Sequence, residues 1–403
     1  MMSTLQPYVT AGMTGTGGTI KGTVEDFQVD EIPAYLPSGS GEHCYLTIEK
    51  QGITTLEAIH RIARTLKVAE RDIGYAGMKD AVGITRQTIS VQWVTPEKAR
   101  GIELEGVKVV EAVRHGNKLK VGHLKGNRFR VVVRGVRPLV TELVSPIVAM
   151  LIRRGVPNYF GYQRYGAQGN SHQIGLAMLR GEWREAVDRL MGDPEAVRDE
   201  QWSAAISSYR SGDLEGALRL FPPHCRGERE VLQRLSARPD SPEKAFSVLH
   251  PRLKKMYLSA AQSFLFDQVV AQRIDRLDQI LTGDLAFKHV NGACFLVEEG
   301  AIEQERGDRF EISPSGPMFG CKMKHASGDI RHAEEEILAR AGITAHSFDL
   351  PGGLRMEGER RALRVPVEAV AWKYEEGDGL LLEFSLPRGS YATSLVREIT
   401  KGF

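Results

Sequence analysis

Asp80 is the residue with the most chemistry in reach. It closes the run Gly77-Met78-Lys79-Asp80, and Arg86 follows six residues on. A carboxylate among cations keeps a low pKa and stays ionised. Held near a sugar, it can attack the anomeric carbon or stabilise charge there. Gly77 is expected to let the backbone turn sharply. An aspartate that only caps a turn fits the same run, so spacing alone leaves both readings standing.

Asn127 and Phe129 sit in Lys125-Gly126-Asn127-Arg128-Phe129-Arg130. Two residues apart on a strand, their side chains share a face. An amide and an aromatic ring on a basic surface suit a nucleobase, one for the base edge and one for stacking. A core phenylalanine next to a turn asparagine fits too. From Arg114 to Arg137 there are eight basic residues (Arg114, Lys118, Lys120, Lys125, Arg128, Arg130, Arg134, Arg137) and no acid. Such a run is either the footprint of a phosphate backbone or a solvated strand surface. The whole chain is nearly balanced, with 53 Lys and Arg against 51 Asp and Glu. Any basic face is therefore local.

Several chemistries lack their residues. Cys44, Cys225, Cys294 and Cys321 lie far apart with no Cys-x-x-Cys, which argues against zinc ribbons, redox pairs and disulfide frameworks. Thr14-Gly15-Thr16-Gly17-Gly18-Thr19 lacks the lysine of a phosphate-binding loop and the third glycine of a dinucleotide fingerprint. Neither a Gly-x-Ser-x-Gly elbow nor His-Glu-x-x-His occurs. None of these patterns marks a metal or cofactor site. A glycosidase would need a second placed carboxylate. Glu25, Asp26 and Glu31 are available, but nothing marks them.

The elements that position these residues follow from periodicity. Phe27 and Val29 alternate as a strand, as do Cys44, Leu46 and Ile48. Thr54-Thr55-Leu56-Glu57 reads as a capping box. Leu56, Ile59, Ile62, Ala63 and Leu66 follow at helical spacing. Residues 73–80 read as a short strand running into a loop, and alternation resumes at Ile89 and again at Phe129. A helix is expected from Pro138 to about Gly155, kinked at Pro146. Residues 171–277 are mostly helical in pattern, with Leu258, Ala261, Leu265 and Val269 as a core stripe. The dense aromatic run from Pro157 to Gly166 reads as a tight junction between domains rather than a stacking platform. Strands return beyond Gly283, and a last helix begins near Thr393. At 403 residues, two or three domains are expected. No apolar run reaches the 18 or so residues of a membrane span, and residues 1–20, without an apolar h-region, are not expected to be a secretory signal. The fold class expected is α+β with an insertion.

In order along the chain, several blocks resemble the TruD family of pseudouridine synthases. They include Lys21-Gly-Thr-Val-Glu-Asp-Phe27, Tyr75-Ala-Gly-Met-Lys-Asp80 and Gly122-His-Leu-Lys-Gly-Asn127-Arg-Phe129. Further on come Asn158-Tyr-Phe-Gly161 with Gln163-Arg164-Tyr165-Gly166, Ser315-Gly-Pro-Met-Phe-Gly320, and Leu386-Pro-Arg-Gly-Ser-Tyr391. Together they span nearly the whole chain.

The resemblance implies isomerisation of uridine to pseudouridine in tRNA, at uridine 13. Asp80 would act at the ribose, either by attack on C1′ or by removing a sugar proton. Lys21 would pair with Asp80, and Phe129 would pack against the flipped uracil. Phe27, Asn127 and Tyr391 match substrate-binding positions. The fold implied is a pseudouridine-synthase domain with a mixed, mainly antiparallel sheet. It would comprise residues 1–157 and 364–403, interrupted by a family-specific α+β domain at 158–363. A cytoplasmic monomer acting on tRNA without a cofactor is expected. A non-catalytic RNA-binding or RNA-folding protein of the same fold is the alternative.

Overall fold

Alternating apolar residues build the strands of the first unit. The computed structural model describes residues 6–377 and 379–402. Contacts divide the chain into two units, one of residues 8–156 with 365–403 and the other of residues 1–7 with 157–364.

The first unit holds an eight-stranded sheet. Its strands are β1 (Phe27–Pro33), β2 (His43–Gln51), β3 (Ile73–Tyr75), β4 (Ile84–Gln92), β5 (Val107–His115) and β6 (Leu124–Val133), joined by Glu368–Glu375 and Gly379–Pro387. In space they run Glu368–Glu375, Gly379–Pro387, β6, β1, β4, β2, β5, with β3 paired to β4. Only β1 and β4 run parallel; the other described pairs are antiparallel.

One sheet face is buried beneath helix α1 (Thr55–Leu66). Cys44, Leu46 and Ile48 of β2 and Ile89 and Val91 of β4 meet Ala58, Ile59, Ile62, Ala63 and Leu66 there. Thr54 caps the helix, accepting from the Glu57 amide at 3.1 Å, an interaction worth about 1 kcal/mol. The reciprocal half of the capping box does not form. Glu57 pairs instead with Arg61 at 2.7 Å, one turn on. Leu56 is 55% exposed, off the expected stripe. The first turn buries Thr55, whose hydroxyl serves the Asp80 loop.

The helix expected from Pro138 begins at Val140, because Leu139 takes a left-handed φ of 62°. It runs through Pro146 to Arg154, with Gly155 as its cap.

The second unit is helical from Ser171 to Arg273, then builds a four-stranded sheet ordered Glu359–Ala362, Ile312–Met318, Leu285–Lys288, Cys294–Leu296. The stripe of Leu258, Ala261, Leu265 and Val269 on the long helix Pro251–Arg273 is core. The described bonds of the aromatic run lie within this unit. Tyr165 donates to Asp267 at 2.6 Å, the Phe160 amide to the same carboxylate at 3.0 Å, and Arg164 to Ser263 at 2.9 Å. Gln6 donates to Asp267 at 2.8 Å, and Tyr159 to the Pro7 carbonyl at 3.2 Å. Those bonds are why residues 6 and 7 group here rather than with the sheet that follows them in sequence.

Candidate active site

The loop carrying Asp80 leaves β3 and is held at three successive points. The Ala76 carbonyl accepts from Gly122 N at 2.8 Å. The Lys79 amide donates to Thr55 Oγ1 at 2.9 Å, and that hydroxyl donates to Gln87 at 2.9 Å. The Asp80 carbonyl accepts from Lys50 Nζ at 2.6 Å. The glycine this loop requires is Gly83, not Gly77. Gly83 has φ 137°, and a Cβ there would lie 2.4 Å from the Phe27 carbonyl. Gly77 keeps negative φ, and a Cβ would meet nothing closer than 3.7 Å. The sharp turn is therefore made where the loop enters β4 beside the start of β1.

Lys21 reaches Asp80 from before β1. Its backbone takes a left-handed φ of 62°, a conformation that costs a non-glycine residue energy and often marks a functional position. Its ammonium lies 3.2 Å from Asp80 Oδ2 and 4.3 Å from the centre of the Phe27 ring. The Asp80 side chain is one-third exposed. Among the described residues nothing donates to its Oδ1. The carboxylate thus has one oxygen held by a cation and one open to solvent.

Lys79, its neighbour, points elsewhere. It bridges Glu31 Oε2 at 2.9 Å and Asn127 Oδ1 at 2.8 Å, with the lysine and glutamate side chains almost fully buried. Glu31 and Asn127 are cross-strand partners on β1 and β6. An ammonium only donates, so the atom of Asn127 that meets Lys79 is its oxygen. The amide NH2 is left as the group Asn127 can offer, and among the described residues it has no partner.

An aromatic row lies on the same sheet face. Phe129 stacks on Phe384 at 5.3 Å and tilts against Phe27 at 6.3 Å. Phe27 is 2% exposed and Phe129 6%. Both are packed into the core with little ring surface open, Phe27 directly beneath Lys21. Tyr391 is the residue before the last helix, Ala392–Thr400. It follows a strand whose Leu386 and Pro387 pair with Asn127 and Gly126.

The sequence profile of tRNA pseudouridine synthase D (TruD) matches residues 4–399. The chain belongs to the TruD family. It is 59% identical to the tRNA pseudouridine synthase D of Geobacter metallireducens, with 100% of this chain and 99% of that protein covered. Identity to the protein of that name from Syntrophotalea carbinolica is 45%, over 98% of each chain. A crystal structure from Methanosarcina mazei, provisionally described as TruD, superposes with a TM-score of 0.82 at 26% identity, covering 99% of this chain and 97% of that one. The α+β fold with its mainly antiparallel sheet is thus that of the family.

Against this TruD fold, the basic run divides. On β6, Phe129, Val131 and Val133 point into the core while Arg128 and Arg130 are exposed, so the two arginines face away from Asn127 and Phe129. Arg130 lies 3.6 Å from Glu383, and Arg134 pairs with the buried Asp26 at 2.7 Å. That pairing holds the Asp26 carboxyl below the usual carboxylate range, so it is no proton donor near neutral pH. Strand alternation, which placed Asn127 beside Phe129, also splits the run between two faces.

Sequence reasoning missed Lys50, Phe384, and the exposed Met78 and Val82 that flank Asp80 by two residues on either side. Only Lys50 carried a signal. It continues the alternation of Cys44, Leu46 and Ile48, which puts a lysine on an apolar strand face. Among the described residues no helix is long and apolar enough to cross a membrane.

Proposed function

We propose that this chain isomerises uridine to pseudouridine in tRNA, at uridine 13, with Asp80 acting at the ribose. One observation carries the reading: Asp80 is held by its main chain, one carboxylate oxygen is paired with Lys21, and the other is open. The Lys21 ammonium holds that oxygen at 3.2 Å. The C1′–N1 bond breaks and a C1′–C5 bond forms. The C5 proton leaves and N1 ends protonated, so nothing is gained or lost overall. No oxidant or group acceptor enters that balance, and no cofactor is called for. Both routes, attack on C1′ and removal of a sugar proton, start from the same ionised carboxylate.

A uridine inside folded RNA must leave its stack first. Asn127, its oxygen held by Lys79, would offer its NH2 to a uracil carbonyl. Phe27 and Phe129 would form the apolar floor of the pocket, and the Tyr391 ring would cover the base. Residues 1–157 with 364–403 would be the catalytic domain. The interrupting unit would be the family-specific insertion. The enzyme would work as a cytoplasmic monomer on tRNA.

Pseudouridine mapping on tRNA tests this, with carbodiimide adducts read as primer-extension stops. The wild type should give a stop at position 13. Asp80→Asn should lose the activity by more than about 10³-fold, as expected when the group that acts at the reacting atom is removed. A wild type that binds tRNA but leaves no stop would make the chain a binding protein.

A further inference from the structure

Lys50 has no role in the reaction as described above, yet it is the most deeply buried cation near Asp80. It is 1% exposed. Its ammonium donates to two main-chain carbonyls, Ile53 at 2.8 Å and Asp80 at 2.6 Å. Among the described residues no carboxylate pairs with it in contact. Ile53 directly precedes Thr54, the cap of α1. Lys50 therefore ties the start of α1 to the backbone of Asp80 through one charged group.

The fold itself gains little from a charge in that position. Taking an ammonium out of water is costly unless close partners compensate. It ends a face on which Cys44, Leu46 and Ile48 are apolar, and its cross-strand partners are the buried Thr85 and Val107, neither of them charged. An unbranched apolar side chain would fill the space without the cost. Burial pushes the Lys50 pKa down to about 8, while the nearby Asp80 charge acts to raise it and Lys79 to lower it. A charge kept against its own solvation calls for a reason outside stability.

We propose that Lys50 is a positioning residue for the isomerisation: its buried ammonium clamps the Asp80 carbonyl and fixes where the carboxylate points. The proposal rests on the reading that Asp80 acts at the ribose. Lys21 and Lys50 then divide the work. Lys21 holds the side chain by one oxygen, and Lys50 holds the backbone from which it projects. Without Lys50, the loop keeps its anchors at Ala76 and Lys79 but loses the one on Asp80 itself. Misplacement of a reacting group by about 1 Å can cost about 10²-fold in rate.

The test uses the full chain carrying Lys50→Met, with Lys50→Gln as a shorter uncharged donor and Asp80→Asn as control. Single-turnover rate at saturating protein, tRNA affinity and thermal midpoint are read together. Lys50→Met should slow the chemical step by about 10²-fold, with affinity within about twofold and the midpoint close to wild type. Lys50→Gln, which can still reach toward one carbonyl, should recover part of the rate. A wild-type rate in both Lys50 variants with a dead Asp80→Asn would overturn the proposal and leave the function standing. Loss of folding in both would assign Lys50 to structure and overturn it as well. An active Asp80→Asn would remove the reading on which it rests.

Discussion

In the inserted unit the buried Arg360 closes on Glu334 through two hydrogen bonds of 2.8 and 2.9 Å, while in the sheet unit the buried Lys50 donates to the carbonyl of Asp80. Arg273 and Asp284 repeat the first pattern at 2.8 and 3.1 Å. Asp267 does so with three neutral donors. For Arg273, Arg360 and Asp267 the compensation comes from a side chain or amide placed for it, and these sets are closed, whereas the fully buried Arg364 donates to the Gly307 carbonyl at 2.7 Å. Around Asp80 the cations converge on a segment whose carboxylate is left one-third exposed. Closed sets hold a fold in register. An open set holds one group ready for something that is not yet there. Burial and bond lengths are similar in the two units, so neither alone separates structural from functional charge.

Removing one partner from each unit should break the symmetry of that burial. The largest effect expected is on Glu334→Ala, which strands the Arg360 guanidinium in the core and should cost about 3–5 kcal/mol of stability. Denaturant melts check this, and the rate of pseudouridine formation below the melting range should stay near wild type. A loss of rate without a loss of stability would mean that the inserted unit also carries an open set.

The counterpart in the sheet unit is a pH effect on Lys50. Below pH 8 the folded protein buries a charged Lys50, whereas the unfolded chain keeps its lysine charged up to about 10.5. Between those values the unfolded state binds more protons, so the wild type gains stability as pH rises, by up to about 3 kcal/mol. Lys50→Met lacks this term. Its stability relative to wild type should therefore fall as pH rises from 8 to 10.5. Melts of both proteins across that range measure the difference, in which all other titrations cancel. A flat difference would mean that Lys50 is not buried as a cation.

The smallest effect sharpens a second contrast, between the two faces of the sheet. Arg130 and Glu383 are both about half exposed, and pairs of that kind contribute about 0–1 kcal/mol. Arg130→Ala should leave stability and the isomerisation rate within about twofold of wild type. A tenfold weakening of tRNA binding, read by its salt dependence, would show that the outer face also meets RNA.

Much of this was legible in the residues. Alternation located β1, β2, β4 and β6, and helical spacing located α1, because apolar periodicity records which face must be buried. The same alternation joined Asn127 to Phe129 and, read one step further, would have sent Arg128 and Arg130 to the other face. Lys50 broke an apolar alternation and could have been singled out on that ground. Glu31 and Lys79 carried no such mark, since each is an ordinary charged residue in its own segment.

The sequence by itself determined most of the elements, the family, and Asp80 with Lys21 as candidate residues. Those are properties of local periodicity and of motifs read in order. Only the tertiary structure decided which group meets which. It brought Lys50 to the carbonyl of Asp80, set Lys79 between Glu31 and Asn127, and so left Asn127 a donor. It also moved the required glycine to Gly83, where the loop crosses the backbone of Phe27. Each of these depends on strands paired across many residues of sequence, and pairing at that range is set by how the sheet closes, not by any one segment's own preference.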